Sequence, residues 1–93
     1  MSVTLDSLVV QSPLCLSANV AEELVLMTIE GGVYLGLDAI GKDIWQRMAT
    51  PCVVRDLCAV LQAEFDASSA TIEADVLALL GTLAQSGAIE IRA

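Results

Sequence analysis

The stretch of residues 24–37, LVLMTIEGGVYLGL, decides the fold of this chain. Its first part, Leu24-Val25-Leu26-Met27-Thr28-Ile29, is an apolar run rich in β-branched residues, which is typical of a strand. Gly31-Gly32 follows and supplies two residues that accept the positive φ angles of a tight turn. Residues 33–37 then run back with alternating side chains. The stretch predicts a β-hairpin.

An earlier strand is expected ahead of the hairpin, over residues 14–18. Pro13 marks its start and Asn19 lies near the turn that follows it. Pairing with the hairpin would complete a three-stranded antiparallel sheet. Residues 1–10 are expected to be loose, as chain termini often are.

After the hairpin, the apolar residues recur at the spacing of helices. Asp38 is a good N-cap for a first helix, which Thr50-Pro51 ends. The apolar face of this helix holds Ile40, Ile44, Trp45 and Met48. A second helix ends near Asp66, and its apolar positions are Val54, Leu57, Cys58, Leu61 and Phe65.

A third helix is expected over residues 71–85, with Ser68 or Ser69 as its N-cap and Gly87 as its C-terminal cap. Its core stripe comprises Ile72, Val76, Leu79, Leu80 and Leu83. Ile89-Glu90-Ile91 alternates like a final short strand. The order of three strands, three helices and a wing predicts an α+β fold of the winged helix-turn-helix type.

The composition bounds the size and the partners of the protein. Ninety-three residues, 56% of them hydrophobic, suit one domain over residues 1–93. Twelve acidic against four basic residues give a net charge of −8, which repels nucleic acid and anionic membranes and favours neutral or basic partners. Alternatively, the charge only keeps an apolar domain soluble. No signal segment or membrane span is visible, so a cytoplasmic location is expected.

Catalysis is not expected from this sequence. The absence of histidine excludes Ser-His-Asp triads, histidine metal sites and imidazole acid–base chemistry. Cys15, Cys52 and Cys58 have spacings that match no disulfide or zinc framework, so they are expected to be reduced and mostly buried. Neither an enzyme nor a bound cofactor or metal is therefore expected.

An ordered set of short matches to a known family runs from residue 24 to residue 91. It comprises Gly32-Val33-Tyr34-Leu35-Gly36-Leu37-Asp38, Ile44-Trp45, Val54, Leu57 through Phe65-Asp66, Asp75-Val76, Leu80, Leu83, Gly87 and Ile89. At these spacings the chain resembles the PqqD-like family of RiPP recognition elements. The greatest likeness is to the stand-alone leader-peptide-binding proteins of lasso-peptide biosynthesis. Val53 departs from the pattern, because a hydroxyl residue is expected there to cap the second helix.

The resemblance implies a winged helix-turn-helix domain with a three-stranded N-terminal antiparallel sheet followed by three helices. It implies that the domain binds the leader segment of a ribosomally synthesised precursor peptide, which adds as a strand beside the third strand and packs against the third helix. It further implies two kinds of enzyme partner. These are a separate leader peptidase of the cysteine-protease type and a macrolactam cyclase.

The candidate peptide-binding residues lie on the third strand and the third helix: Val33, Tyr34, Leu35, Gly36, Leu37, Ile72, Asp75, Val76 and Leu79. Gly36 makes room for a bulky peptide side chain or relieves crowding against a helix. Asp75 pairs with a basic peptide residue or stabilises the positive end of its helix. Tyr34 contacts the peptide or shields the sheet. The three apolar helix residues form a pocket wall or belong to the core, and Trp45 is assigned to the core.

Other functions compete with leader binding. A DNA-binding winged helix needs Lys or Arg on its recognition helix, and residues 71–85 contain neither. Asp6-Ser7-Leu8 is the carrier tripeptide of acyl-carrier proteins, but it lies in the N-terminal tail instead of opening a mid-chain helix. A nucleophilic cysteine lacks a histidine to activate it. A generic protein-interaction module, or a homodimer that pairs through the same strand edge, remains an alternative.

Overall fold

Two three-stranded sheets and three helices form the fold in the computed structural model, which describes residues 3–29 and 31–92. The elements in chain order are β1 (Leu8–Gln11), β2 (Cys15–Val20), β3 (Glu23–Thr28), β4 (Tyr34–Leu37), α1 (Ala39–Arg47), β5 (Cys52–Val53), α2 (Val54–Glu64), α3 (Ser69–Ser86) and β6 (Ile89–Arg92). One sheet has the order β2-β3-β4 and the other the order β5-β1-β6. The predicted α+β fold, with a three-stranded antiparallel sheet ahead of three helices, is confirmed.

The hairpin of β3 and β4 forms as predicted, with one difference at its turn. Gly32 has a φ of +61°, but Gly31 has no positive φ, so the expectation of two such residues is wrong. At Gly31, limited space is what disfavours a side chain. A Cβ atom there would lie 3.1 Å from Oγ1 of Thr28, a hydroxyl that accepts a hydrogen bond from the Val33 N–H.

The first strand of this sheet ends later than predicted. β2 extends to Val20, so Asn19 lies within the strand, near its end. The chain reverses at Ala21, which adopts a left-handed conformation with a φ of 57°. Alanine rarely adopts this conformation, so the sequence pattern does not predict a turn at this position.

The N-terminal segment belongs to the fold, which corrects the expectation that residues 1–10 are loose. β1 lies in the middle of its sheet, antiparallel to both β5 and β6, and Val9 is fully buried. The apolar run Leu8-Val9-Val10 gives the segment side chains to bury, and this outweighs the usual fraying of a terminus. Met1 and Ser2 lie outside the described residues.

Side chains cap α1 and α3 as predicted. Oδ1 of Asp38 accepts a hydrogen bond from the Gly41 N–H at 2.8 Å at the start of α1. Oγ of Ser68 accepts one from the Thr71 N–H at 3.2 Å at the start of α3. Gly87 ends α3 in the left-handed conformation, with a φ of 83°.

The start of α2 is capped by the main chain of the N-terminal segment. Val53 makes no side-chain capping bond. Instead, the N–H of Val54 donates to the carbonyl of Ser7 at 3.0 Å, and the N–H of Arg55 donates to the carbonyl of Leu5 at 2.8 Å. These two donors would otherwise lack partners within the helix. The helix therefore does not need the hydroxyl residue that the family pattern has at position 53.

One core joins both sheets to the three helices. Val9, Leu26, Trp45, Leu61 and Leu80 are among its buried side chains. On α1, the prediction of a buried face is confirmed for Ile44, Trp45 and Met48, but not for Ile40, which is 49% exposed. None of the helices within the described residues has both the length and the apolar character needed to cross a membrane.

Deleting residues 1–7 is expected to lower the free energy of unfolding by at least about 2 kcal/mol, because the first turn of α2 loses two main-chain acceptors and the core loses the partly buried side chains of Val3 and Leu5. Urea unfolding followed by the fluorescence of Trp45, the single tryptophan, measures this change. Asp6→Ala is the control, since it removes the 3.0 Å ion pair between Asp6 and Arg55 and keeps both capping carbonyls. If this control is as unstable as the deletion, the capping account is wrong.

Candidate functional site

β4 is an edge strand that pairs with β3 alone. The N–H of Thr28 donates to the carbonyl of Val33 at 3.0 Å, just before β4 begins. Hydrogen-bonded pairs alternate with non-bonded pairs along an antiparallel ladder. The main-chain groups of Leu35 and Leu37 therefore point towards β3, to the residues opposite them in the register.

The main-chain groups of the intervening residues point the other way. The N–H and C=O of Tyr34 and of Gly36 face away from β3, and no strand of the described residues pairs with β4 on that side. Both residues are exposed. The edge thus presents two donors and two acceptors in the arrangement that an incoming extended strand would match.

An open groove of about 450 Å³ lies between the end of β4 and the N-terminal half of α3. The residues around it come from β4, α1, α3 and the end of α2. Six of the nine predicted site residues line it: Gly36, Leu37, Ile72, Asp75, Val76 and Leu79. Val33, Tyr34 and Leu35 do not, although they lie on or next to the same edge strand.

The groove also contains residues outside the predicted peptide-binding set. Its remaining lining comes from Asp38, Ile40, Gly41, Ile44, Leu61, Phe65, Ala67 and Thr71. Ile40 is half exposed and Phe65 half buried. Both stand at the end of an apolar helical stripe, where the stripe runs past the core. That terminal position was the available signal for a surface pocket.

The α3 residues of the groove differ in how deeply they are buried. Val76 is 2% exposed and belongs to the core, whereas Ile72 and Leu79 are half buried and pack against it. Of the two roles predicted for these residues, the core role therefore applies to Val76, and the role of groove wall applies to Ile72 and Leu79. Ile72 and Leu79 have apolar surface that a ligand in the groove could cover.

Gly36 is not crowded by a helix. A Cβ atom built there would have only Oε2 of Glu23 nearby, at 3.6 Å, which is an ordinary contact. Of the two explanations for this glycine, the geometry favours open space on the outer face of the sheet. The ring of Tyr34, on the same face, is 69% exposed and covers little of the sheet.

The charges around the groove are acidic. Asp38 and Asp75 line it, and no lysine or arginine of the described residues does. Asp75 is exposed and lies in the second turn of α3, whereas the effect of a helix dipole is confined to the first turn. Dipole stabilisation therefore explains little of its placement. The groove offers apolar walls with a negative rim.

The three cysteines and Ser7 lie outside the groove, and the cysteine thiols are poorly activated. Cys58 is buried and Cys15 and Cys52 are less than half exposed, so all three are free thiols that are mostly buried, as predicted. Burial raises the pKa of all three thiols above the usual value, so little thiolate forms at neutral pH. Within the described residues, no cluster of His, Cys, Asp and Glu has a metal-binding arrangement. The hydroxyl of Ser7, the serine of the carrier-like tripeptide, takes part in a local turn, in which its Oγ accepts a hydrogen bond from the Thr4 N–H at 3.0 Å.

Comparison with known proteins agrees with this architecture. The chain matches the family of coenzyme PQQ synthesis protein D (PqqD) over residues 23–89. Its structure is similar to that of TbiB1 in complex with the TbiA(beta) leader peptide, with a TM-score of 0.79 and 30% sequence identity over 90% of this chain and 98% of that one. No curated protein matches. The resemblance in the sequence is confirmed, and this protein belongs to the PqqD family.

Proposed function

We propose that this protein binds the leader segment of a ribosomally synthesised precursor peptide by strand addition at β4. The observation that carries the proposal is an unpaired strand edge directly beside an apolar groove. TbiB1, which is 30% identical, has been solved with a leader peptide bound. That similarity supports a leader as the ligand of this chain.

Strand addition explains how one site can hold a peptide with few constraints on its sequence. The free N–H and C=O groups of Tyr34 and Gly36 bind main-chain groups, which every peptide has. Successive side chains of an added strand point to opposite faces. On one face they enter the groove, and on the other they lie over the open surface beside Gly36.

Selectivity then comes from the groove. Ile40, Phe65, Ile72 and Leu79 offer an apolar surface to bulky side chains of the leader, and Asp75 lies at the rim. An ion pair at such a rim adds more to selectivity than to affinity. The proposed ligand is therefore an extended segment with large apolar residues at alternate positions and a basic residue near Asp75.

We further propose a non-enzymatic role in the cytoplasm. The protein would hand the captured precursor to a separate leader peptidase of the cysteine-protease type, and a macrolactam cyclase would complete a lasso peptide. The lack of histidine and the raised pKa of the thiols support binding without catalysis. The acidic charge of −8 supports a peptide over nucleic acid as the ligand.

Gly36→Pro is expected to weaken leader binding about tenfold, because proline removes one edge donor and its ring occupies the edge. Fluorescence anisotropy with a labelled leader from the neighbouring precursor gene measures the affinity. Labelled core peptide and a DNA duplex should not bind. Gly36→Ala keeps the N–H and should bind more tightly than Gly36→Pro.

Ser17→Pro is the matched control, since it places proline on the opposite edge of the same sheet. It should bind the leader like the unchanged protein. Equal affinities for Gly36→Pro and Ser17→Pro would rule out strand addition at β4. Failure of the unchanged protein to bind any leader would leave the alternative, a homodimer or interaction module that uses the same edge.

Ile40→Ala is expected to weaken leader binding about fivefold, because a half-exposed isoleucine contributes roughly 1 kcal/mol when a ligand covers it. Val60→Ala is the control. Val60 is 41% exposed on α2 and lies outside the groove, whereas Ile40 is 49% exposed and lines it. The same anisotropy titration compares the two. Equal losses in both variants would show that the groove is not the binding surface.

Asp75→Asn is expected to weaken binding by a few-fold at low salt and to flatten the dependence of affinity on salt concentration, since a rim ion pair is screened by salt. Glu73→Gln is the control because Glu73 lies on the same helix outside the groove. Titrations at several salt concentrations supply the slopes. A slope for Asp75→Asn equal to that of the unchanged protein would remove Asp75 from the site.

A further inference from the structure

β2 forms the second free edge of the sheet that carries β4. The N–H of Ile29 donates to the carbonyl of Leu14 at 2.9 Å, just before β2 begins. By the alternation of the ladder, Leu16, Ala18 and Val20 form the hydrogen-bonded pairs with β3. The main-chain groups of the residues between them therefore point away from β3.

Ser17 and Asn19 are these outward-facing residues, and both are exposed. β2 reads CLSANV, so the edge carries no charged residue and no proline. It pairs with β3 residue by residue over six positions, without a bulge. Proteins usually protect a free edge with lysine, proline or a bulge. β2 has none of these protections and is a ready template for another strand.

Exposed apolar side chains are concentrated around the same sheet. Among the described residues, the large hydrophobic side chains that are exposed number eight, and six belong to this sheet or the segments next to it. Those six are Leu14, Leu16, Val20, Ile29, Val33 and Tyr34. Leu16 and Val20 lie on β2 itself and are 52% and 57% exposed. A strand added to β2 would thus gain both main-chain hydrogen bonds and apolar contacts.

We propose that β2 pairs antiparallel with β2 of a second copy of this chain, about a two-fold axis at Ser17. This register places Leu16 of one protomer opposite Ala18 of its partner, so a large side chain meets a small one. It also places Leu14, just ahead of β2, opposite Val20, and both residues are apolar and exposed. Two-fold symmetry makes such an interface self-complementary.

The local charges favour this register, whereas the net charge of −8 on each protomer opposes association in general. A two-fold axis at Asn19 would instead place Glu22 opposite Leu16, a carboxylate against an apolar side chain. With the axis at Ser17, the acidic turns at Glu22 and Glu23 lie at opposite ends of the paired strands, about 20 Å apart. That separation exceeds the screening length of about 8 Å at physiological salt. An uncharged edge favours an uncharged strand as its partner, and β2 itself is such a strand.

The dimer leaves the proposed leader site free. Pairing through β2 joins the two three-stranded sheets into one, with β4 of each protomer at an outer edge. Each protomer therefore keeps its groove, and a dimer would hold two leaders. This inference does not rest on leader binding, since it uses the opposite edge of the sheet.

Sedimentation equilibrium over roughly 1 µM to 1 mM protein, the range of weak to moderate dissociation constants, tests the dimer. The mass should rise from 9.7 kDa towards twice that value. Ser17→Pro should remain monomeric although it folds, because the N–H that it removes makes no bond to β3. Gly36→Pro should dimerise like the unchanged protein.

Ser17→Lys is the second variant and leaves the main chain intact. It makes the chain one unit less negative, which reduces general repulsion, but it places two ammonium groups opposite each other at the axis. It should weaken dimerisation at least tenfold and still bind the leader. A monomer at every concentration would overturn the proposal. So would a dimer that persists in Ser17→Lys and is lost in Gly36→Pro.

Discussion

The division of the hydrogen bonds of β3 between its two neighbours is the constraint on which the binding geometry depends. Successive residues of β3 form their main-chain hydrogen bonds alternately with β2 and with β4. Each outer strand therefore keeps a fixed set of unpaired N–H and C=O groups on its far side. Side chains alternate with the same period. On β4, the residues with free main-chain groups are therefore Tyr34 and Gly36, while Leu35 and Leu37 hold the strand to the core. The edge can accept a strand without disturbing its own anchors.

The groove beside this edge is the open end of the hydrophobic core. Ile40 stands at the start of α1, Phe65 at the end of α2 and Ile72 in the first turn of α3. Each belongs to an apolar stripe whose other members are buried, apart from Leu79 on α3, and the three stripes converge beside β4. The same continuity explains why a single helix, α3, supplies both core and groove residues. A ligand in the groove would in effect extend the core.

Sequence patterns predicted most of this architecture, and the exceptions have physical causes. The hairpin, the caps at Asp38, Ser68 and Gly87 and the three-helix order follow from local rules of spacing and capping. β1 was missed because its partners, β5 and β6, are distant in sequence. The capping of α2 by the carbonyls of Leu5 and Ser7 was missed for the same reason. Nine site residues could be chosen from the strand and the helix, but the contribution of α1 and α2 to the groove depends on packing, which spacing alone does not encode.

The position of β1 has a consequence for how the chain acquires its structure. Leu8 pairs with Arg92, and Gln11 pairs with Ile89, so one of the two sheets joins segments from opposite ends of the described chain. Such distant contacts raise the contact order and slow folding, because a long loop must close before they form. During synthesis, the β2-β3-β4 sheet and the pairing of β1 with β5 can both form before β6 leaves the ribosome. The carbonyls of Leu5 and Ser7 that cap α2 adjoin the pairing of β1 with β5, so the helix can gain its cap at that stage, and the arrival of β6 then makes β1 the central strand of its sheet.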